Sequence, residues 1–198
     1  GSASGRNLLV WPIGQFAGRR GDGEISVDAP AGVAVQAREL GVVPAGVPDS
    51  DEAPFSNHTP REPVPIAGTL SYTYAPDDIA ISRSRVSTPT TYIEFDGRTN
   101  YGDDSRIPFH VTSTDWQDSD RLLAGLMTAF GAPTTAIPIS GHGTFDGTMF
   151  ETFRRPRIEG DFAGEQMRAF DVNWGRIAGA VVIENSYATV RNVTVGTP

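Results

Sequence analysis

The sequence contains no cysteine, and this absence excludes several classes of protein at once. Such a chain cannot form disulfides, hold zinc through thiolates or use a cysteine nucleophile. Its 3 histidines do not lie at a metal-ligand spacing from one another or from a carboxylate. No apolar run approaches the roughly 20 residues that a membrane-spanning helix requires. We therefore expect neither a metal site nor a transmembrane helix in this chain.

Positive charge is also scarce. The chain has 16 Lys and Arg against 24 Asp and Glu, a formal net charge of −8. Proteins that bind nucleic acid use clustered basic residues, so the balance argues against that partner, and equally against adsorption to an anionic lipid surface. By contrast, 22 glycines and 15 prolines fit many strands joined by tight turns.

Short alternating segments fill the sequence from residue 66 onward and predict a mostly β fold. In 107–111 and in 170–174, large apolar residues occupy every second position. Successive strand side chains point to opposite faces, so each such strand has one apolar and one polar face. Residues 1–42 are predicted to form further strands, and the proline-rich residues 43–65 a loop or linker.

One short helix is predicted at residues 115–130, within this sheet region. Trp116, Leu123 and Met127 fall on one stripe at helical spacing. Asp115 and Asp118 stand near its start, where the helix dipole favours negative charge. We expect the stripe to cover the sheet.

The candidate catalytic groups have ordinary structural explanations. Ser140 and His142 could be proposed as a nucleophile and base, but their segment is predicted to be a turn, where near neighbours rarely reach that geometry. Asp103 and Asp104 are predicted to lie in a hairpin turn. We expect no enzymatic activity and no cofactor. A hydrolase stays an alternative only if a cleft brings two carboxylates together.

Five segments together resemble one protein family. They are Ser87–Thr99, Ile107–Ser113, Gly143–Gly147, Arg155–Gly160 and Trp174–Gly175. Their order, with G-x-F-x-G followed by R-P-x-(I/V)-x-G and a strand ending in W-G, is similar to the recurring strand pattern of the TamB family of translocation and assembly module subunits, which is related to the AsmA-like lipid-transfer group. The resemblance covers residues 66–198.

The resemblance implies a fold and a function. The chain would be a periplasmic segment of a longer protein anchored in the inner membrane of a Gram-negative-type bacterium. Its sheet would be elongated and curled into a β-taco-like trough with an apolar interior. That trough would carry phospholipids by their acyl chains between the inner and outer membranes and support outer-membrane assembly, with an outer-membrane barrel of the TamA type as partner.

Large apolar residues of the alternating strands are the candidate lining of this groove. Ordinary core packing explains each of them equally well. They are Ile93, Phe95, Ile107, Phe109, Val111, Phe145, Ile158, Phe162, Phe170, Val172 and Trp174.

Two further expectations concern partners. The alternative function is a carbohydrate- or protein-binding β-sandwich, in which two sheets would bury the same residues. In addition, the open edge of a sheet can pair with a neighbouring copy of the chain.

Overall fold

The computed structural model describes residues 1–44, 64–129, 136–184 and 187–196. Its elements, in chain order, are β1 (Ser2–Val10), a 3-10 turn (Phe16–Gly18), β2 (Arg20–Asp28), β3 (Ala34–Gln36), β4 (Val42–Pro44), β5 (Ala67–Ala75), β6 (Asp78–Ser87), β7 (Thr91–Thr99), β8 (Ser105–Ser113), α1 (Trp116–Ala129), β9 (Ile139–Thr152), β10 (Arg155–Ala169), β11 (Val172–Glu184) and β12 (Tyr187–Gly196).

Ten of these strands form one antiparallel sheet in the order β1-β2-β5-β6-β7-β8-β9-β10-β11-β12, and β3 and β4 form a separate hairpin. Strands adjacent in sequence are mostly adjacent in the sheet, because antiparallel neighbours can be joined by short turns. The mostly β prediction is confirmed. The sheet does not close on itself, which is consistent with a curled sheet.

The N-terminal strands belong to this same sheet. β2 pairs with β5 from Gly21–Tyr74 to Val27–Gly68, so the sheet continues across the predicted linker. The first residues of that linker pair in β4. Residues 45–63 of the linker lie outside the described residues, and residues 64 and 65 precede β5.

The predicted helix is confirmed as α1. Asp115 caps it, because its Oδ1 accepts a hydrogen bond from the backbone N–H of Gln117 at 2.9 Å. Trp116 is buried, and Leu123 and Met127 are half-buried, as the predicted stripe requires. Phe130, the last residue of the predicted range, lies outside the described part of the chain.

Two local predictions were wrong. The segment Ser140–Gly143, predicted to be a turn, lies inside β9, where Gly141 and Gly143 take φ values of +117° and +155°. Glycine reaches such backbone angles without a steric cost, so its presence did not indicate a turn here. Phe170, predicted to belong to a strand, lies in the turn between β10 and β11 with a φ of +52°.

The strand register separates the side chains of the central sheet onto two faces. We call the apolar face the one that carries Ile93, Val111, Phe145 and Phe162, which are opposite one another across β7 to β10. We call the polar face the one that carries Glu94, His110, Asp146 and Asp161, paired across the same strands. Helix α1 packs on the apolar face, and β3 contacts β7.

Candidate functional site

The apolar face carries three rows of side chains that cross the central strands. The first is Ile93, Val111, Phe145 and Phe162. The second is Phe95, Phe109, Gly147, Gly160 and Val181. The third is Ile107, Met149, Ile158 and Ile183. Eight of the predicted lining residues therefore share one face.

Helix α1 covers the first row. The ring of Trp116 lies 5.3 Å from the ring of Phe162, centroid to centroid. Val111, Trp116 and Met167 are buried together and form the main apolar cluster of the described residues. For this row, ordinary core packing is what the structure shows.

Most of the second and third rows is half-buried, as most of the first row is. Phe95, Phe109 and Ile158 are only half-buried, and so is Val181. The apolar face continues onto the edge strand β12 through Val190, which pairs with Val181 and is 51% exposed. A half-buried apolar surface therefore runs from β7 across the sheet and becomes exposed at the edge strand β12.

Three predicted lining residues lie away from these rows. Phe170 is 70% exposed in the β10–β11 turn, and Val172 and Trp174 are exposed at the start of β11. Trp174 contacts the turn through its Nε1–H, which donates to the Ala169 carbonyl at 3.4 Å. The structure does not bring these three together with the other eight.

A buried group of hydroxyls attaches α1 to the sheet. Ser119 Oγ lies 2.6 Å from Thr91 Oγ1 and 2.7 Å from Ser113 Oγ, and all three residues are buried. Thr91 and Ser113 are directly opposite each other in β7 and β8. Because buried hydroxyls without partners are costly, these contacts fix the position of the helix on the sheet.

The two glycine-led segments that share a pattern in the sequence pair with each other in the sheet. Gly143–Gly147 lies antiparallel to Gly160–Gly164, with Phe145 opposite Phe162 and Asp146 opposite Asp161. A Cβ on Gly160 would stand 2.3 Å from the carbonyl oxygen of Asp146, so β9 and β10 approach too closely for a side chain there.

A groove of about 640 Å³ lies on the polar face. Its lining includes Arg38, Glu94, His110, Asp146 and Asp161. The last two are cross-strand neighbours, so two carboxylates meet in this groove. It carries charges of both signs, and Phe95 and Phe109 of the second apolar row also line it.

Arg38 reaches this groove from the segment after β3. Its guanidinium pairs with Glu94, whose Oε2 also accepts a hydrogen bond from the Tyr92 hydroxyl at 2.8 Å. The hydrogen bond from Tyr92 and the Arg38 guanidinium both lower the pKa of Glu94, and burial together with that hydrogen bond raises the pKa of Tyr92. The carboxylate thus holds the β3 segment against the sheet.

His110 stands beside this pair on the polar face, as the alternation predicted. Its Nδ1 lies 2.6 Å from Asp146 Oδ1 and its Nε2 lies 2.9 Å from Thr112 Oγ1. Both ring nitrogens therefore have protein partners. His142, the other strand histidine, lies 3.7 Å from Glu165, and no hydrogen bond links it to Ser140.

The sequence reasoning missed the groove because its members come from separate strands. Alternation placed Glu94, His110 and Asp146 on polar faces but could not show that those faces coincide. It also missed Met149 and Met167, which complete the apolar face. The matching G-x-F-x-G pattern was the available signal that β9 and β10 are neighbours.

Neither the geometry of the described residues nor comparison with known proteins assigns this chain to a family or a ligand. Within the described ranges, no group of three or more His, Asp or Glu side chains is placed to hold a metal ion. No helix there is long and apolar enough to cross a bilayer. No family model, curated protein or solved structure matches the chain.

Proposed function

We propose that this chain is a non-enzymatic segment of a TamB-like envelope protein whose apolar sheet face holds phospholipid acyl chains. The observation that carries the proposal is the half-buried part of that face, which runs from Phe95 to Val181 and reaches the exposed Val190 at the sheet edge. Acyl chains bind such a surface through the hydrophobic effect alone, which contributes about 0.8 kcal/mol for each buried methylene. Weak and repeated contacts of this kind suit transport rather than storage.

The location and partners follow from the resemblance. In this proposal the segment lies in the periplasm of a Gram-negative-type bacterium, between an inner-membrane anchor and an outer-membrane barrel of the TamA type. Phospholipids would pass along the apolar face between the two membranes. The open antiparallel sheet supports this proposal, since the only other sheet of the described residues is the two-stranded β3–β4 hairpin, and a face without a full second sheet over it can admit a chain from the side.

The test uses two adjacent residues on opposite faces of β11. Val181 lies on the apolar face and Val182 points the other way; both are half-buried. Protein purified without detergent would be loaded with a fluorescent fatty acid. Phospholipid bound to the purified protein would be detected by native mass spectrometry of the intact complex and identified by mass spectrometry of the extracted lipid. We expect Val181→Asp to abolish loading and Val182→Asp to preserve it.

A second substitution keeps the test valid if Val181→Asp does not fold. Val190→Asp changes an exposed residue of the same face at the sheet edge and should weaken loading without affecting stability. Reproducible absence of lipid from the folded wild-type protein would overturn the proposal. Equal loading of all variants would show that acyl chains bind elsewhere.

The polar groove favours one second candidate, the binding of a carbohydrate or another polar ligand. Its carboxylates, histidine and arginine can donate and accept the several hydrogen bonds that a sugar requires. In that case, binding would depend on Asp146 and Asp161 and would be unaffected by Val181→Asp.

A further inference from the structure

The β1–β2 hairpin ends in a tip of large apolar side chains that face solvent. Residues 11–16 have the sequence Trp-Pro-Ile-Gly-Gln-Phe. Ile13 is 100% exposed, Trp11 is 46% exposed and Phe16 is 55% exposed. Leu8 and Val10 extend the same exposed surface down β1. Contiguous exposed apolar surface of this kind usually marks an interaction site.

The tip is an ordered turn. Pro12 accepts a hydrogen bond from the Gln15 N–H at 2.9 Å, and Gly14 between them has a φ of +78°, as the third position of a type II turn requires. The ring of Trp11 meets the ring of Phe16 edge-on at 5.6 Å. The apolar side chains are therefore held in place before any partner arrives, which reduces the entropy lost on binding.

Positive charge is concentrated around this tip. The first acidic residue of the chain is Asp22, and Arg6, Arg19 and Arg20 precede it. Arg19 lies over the rings of Phe16 and Tyr101, at 5.3 and 5.9 Å from their centroids. Asp22, 4.0 Å from Arg6, and Glu24, opposite Arg6 in β2, offset part of this charge, so the local positive region consists of Arg19 and Arg20.

We propose that this hairpin tip, residues 11–16, inserts into the interfacial region of an anionic lipid bilayer. A convex tip led by Ile13 needs no complementary pocket in a fluid bilayer, whereas a protein partner would have to provide one. Tryptophan favours the boundary between headgroups and acyl chains, where Trp11 would lie. Arg19 and Arg20 would face the anionic headgroups.

Other charges at this end of the sheet limit the electrostatic contribution. Asp77 lies in the β5–β6 turn, and Asp103 and Asp104 lie in the β7–β8 turn at the same end. The attraction is therefore confined to Arg19 and Arg20, and burial of the apolar tip drives insertion. The net charge of the chain, which argued against adsorption to an anionic surface, does not describe this local surface.

The test is flotation of the full chain with vesicles of phosphatidylcholine alone or mixed with phosphatidylglycerol. We expect Ile13→Asp to reduce binding to the mixed vesicles by at least about tenfold, because it removes a large apolar side chain from the bilayer and adds a charge. Leu40→Asp is the matched control, since Leu40 is also exposed but follows β3, whose Gln36 N–H donates to the Thr88 carbonyl in the β6–β7 turn, at the end of the sheet away from the tip. It should bind as the wild type does.

Three results would overturn the proposal. They are absence of wild-type binding to mixed vesicles, equal binding by Ile13→Asp, and equal binding of the wild type to neutral and anionic vesicles. This inference does not rest on the proposed acyl-chain function. Loading of Ile13→Asp with fatty acid, measured in parallel, should remain at the wild-type level, so failure of one proposal is distinguishable from failure of the other.

Discussion

Replacing Ser119 by alanine should loosen the helix that covers the apolar face. The substitution removes the hydroxyl that Thr91 and Ser113 share, at 2.6 and 2.7 Å, in a site closed to solvent. Each hydrogen bond contributes about 1 kcal/mol, and buried hydroxyls left without a partner add to the cost. We expect the free energy of unfolding to fall by about 2 kcal/mol, or roughly 4–8 °C in Tm for a chain of this size.

Thermal and urea unfolding followed by circular dichroism measure this change. Gln117→Ala is the control, because that side chain is exposed on the same helix and should alter stability by less than about 0.5 kcal/mol. If Ser119→Ala matches Gln117→Ala, the hydroxyl group does not hold the helix. A loosened α1 should also uncover the first row, so fatty-acid loading of Ser119→Ala should rise relative to the control.

Two glycines and one aspartate give predictions of defined sign. Gly160→Ala should lower the free energy of unfolding by about 2 kcal/mol or more, because the added Cβ meets the Asp146 carbonyl oxygen at 2.3 Å. Gly125→Ala should raise it by up to about 1 kcal/mol, because Gly125 is exposed in α1 and a Cβ there meets no neighbouring atom. Equal effects in the unfolding assay would refute the close-approach argument. Burial raises the pKa of Asp120, so its charge at neutral pH costs stability, while its Oδ2 accepts the Ile137 N–H at 2.6 Å. Asp120→Asn retains an acceptor and should be more stable than the wild type at pH 7. The difference should shrink as pH falls through the raised pKa and vanish below the usual carboxyl pKa; a difference independent of pH would contradict this.

Periodicity predicted the strands well because the alternation of side chains in a strand is fixed by backbone geometry. It located the middle residues of the central strands and predicted the apolar face that carries Ile93, Phe95 and Phe109. It failed where glycine allows two backbone conformations, as in Ser140–Gly143, and where alternation continues past a strand end, as at Phe170.

The relation between strands was harder to predict than the strands themselves. The sequence does not show that α1 packs on the first row rather than over Val181. That position depends on where Trp116 and Ser119 meet the sheet. The polar groove depends likewise on Arg38, which reaches Glu94 from a hairpin outside the main sheet. Long-range contacts of this kind have no periodic signature.

An alternating face can be buried by a second layer, met by a partner or filled by an apolar ligand. Within the described residues, α1 provides a layer for the first row, and no second sheet covers the rest. A second copy added at β12 would bury Val190 at the edge but would leave Phe95 and Phe109, several strands away, half-buried as before. Because the half-buried apolar surface extends inward from the edge, we expect a long flexible apolar ligand to cover more of it than strand addition would.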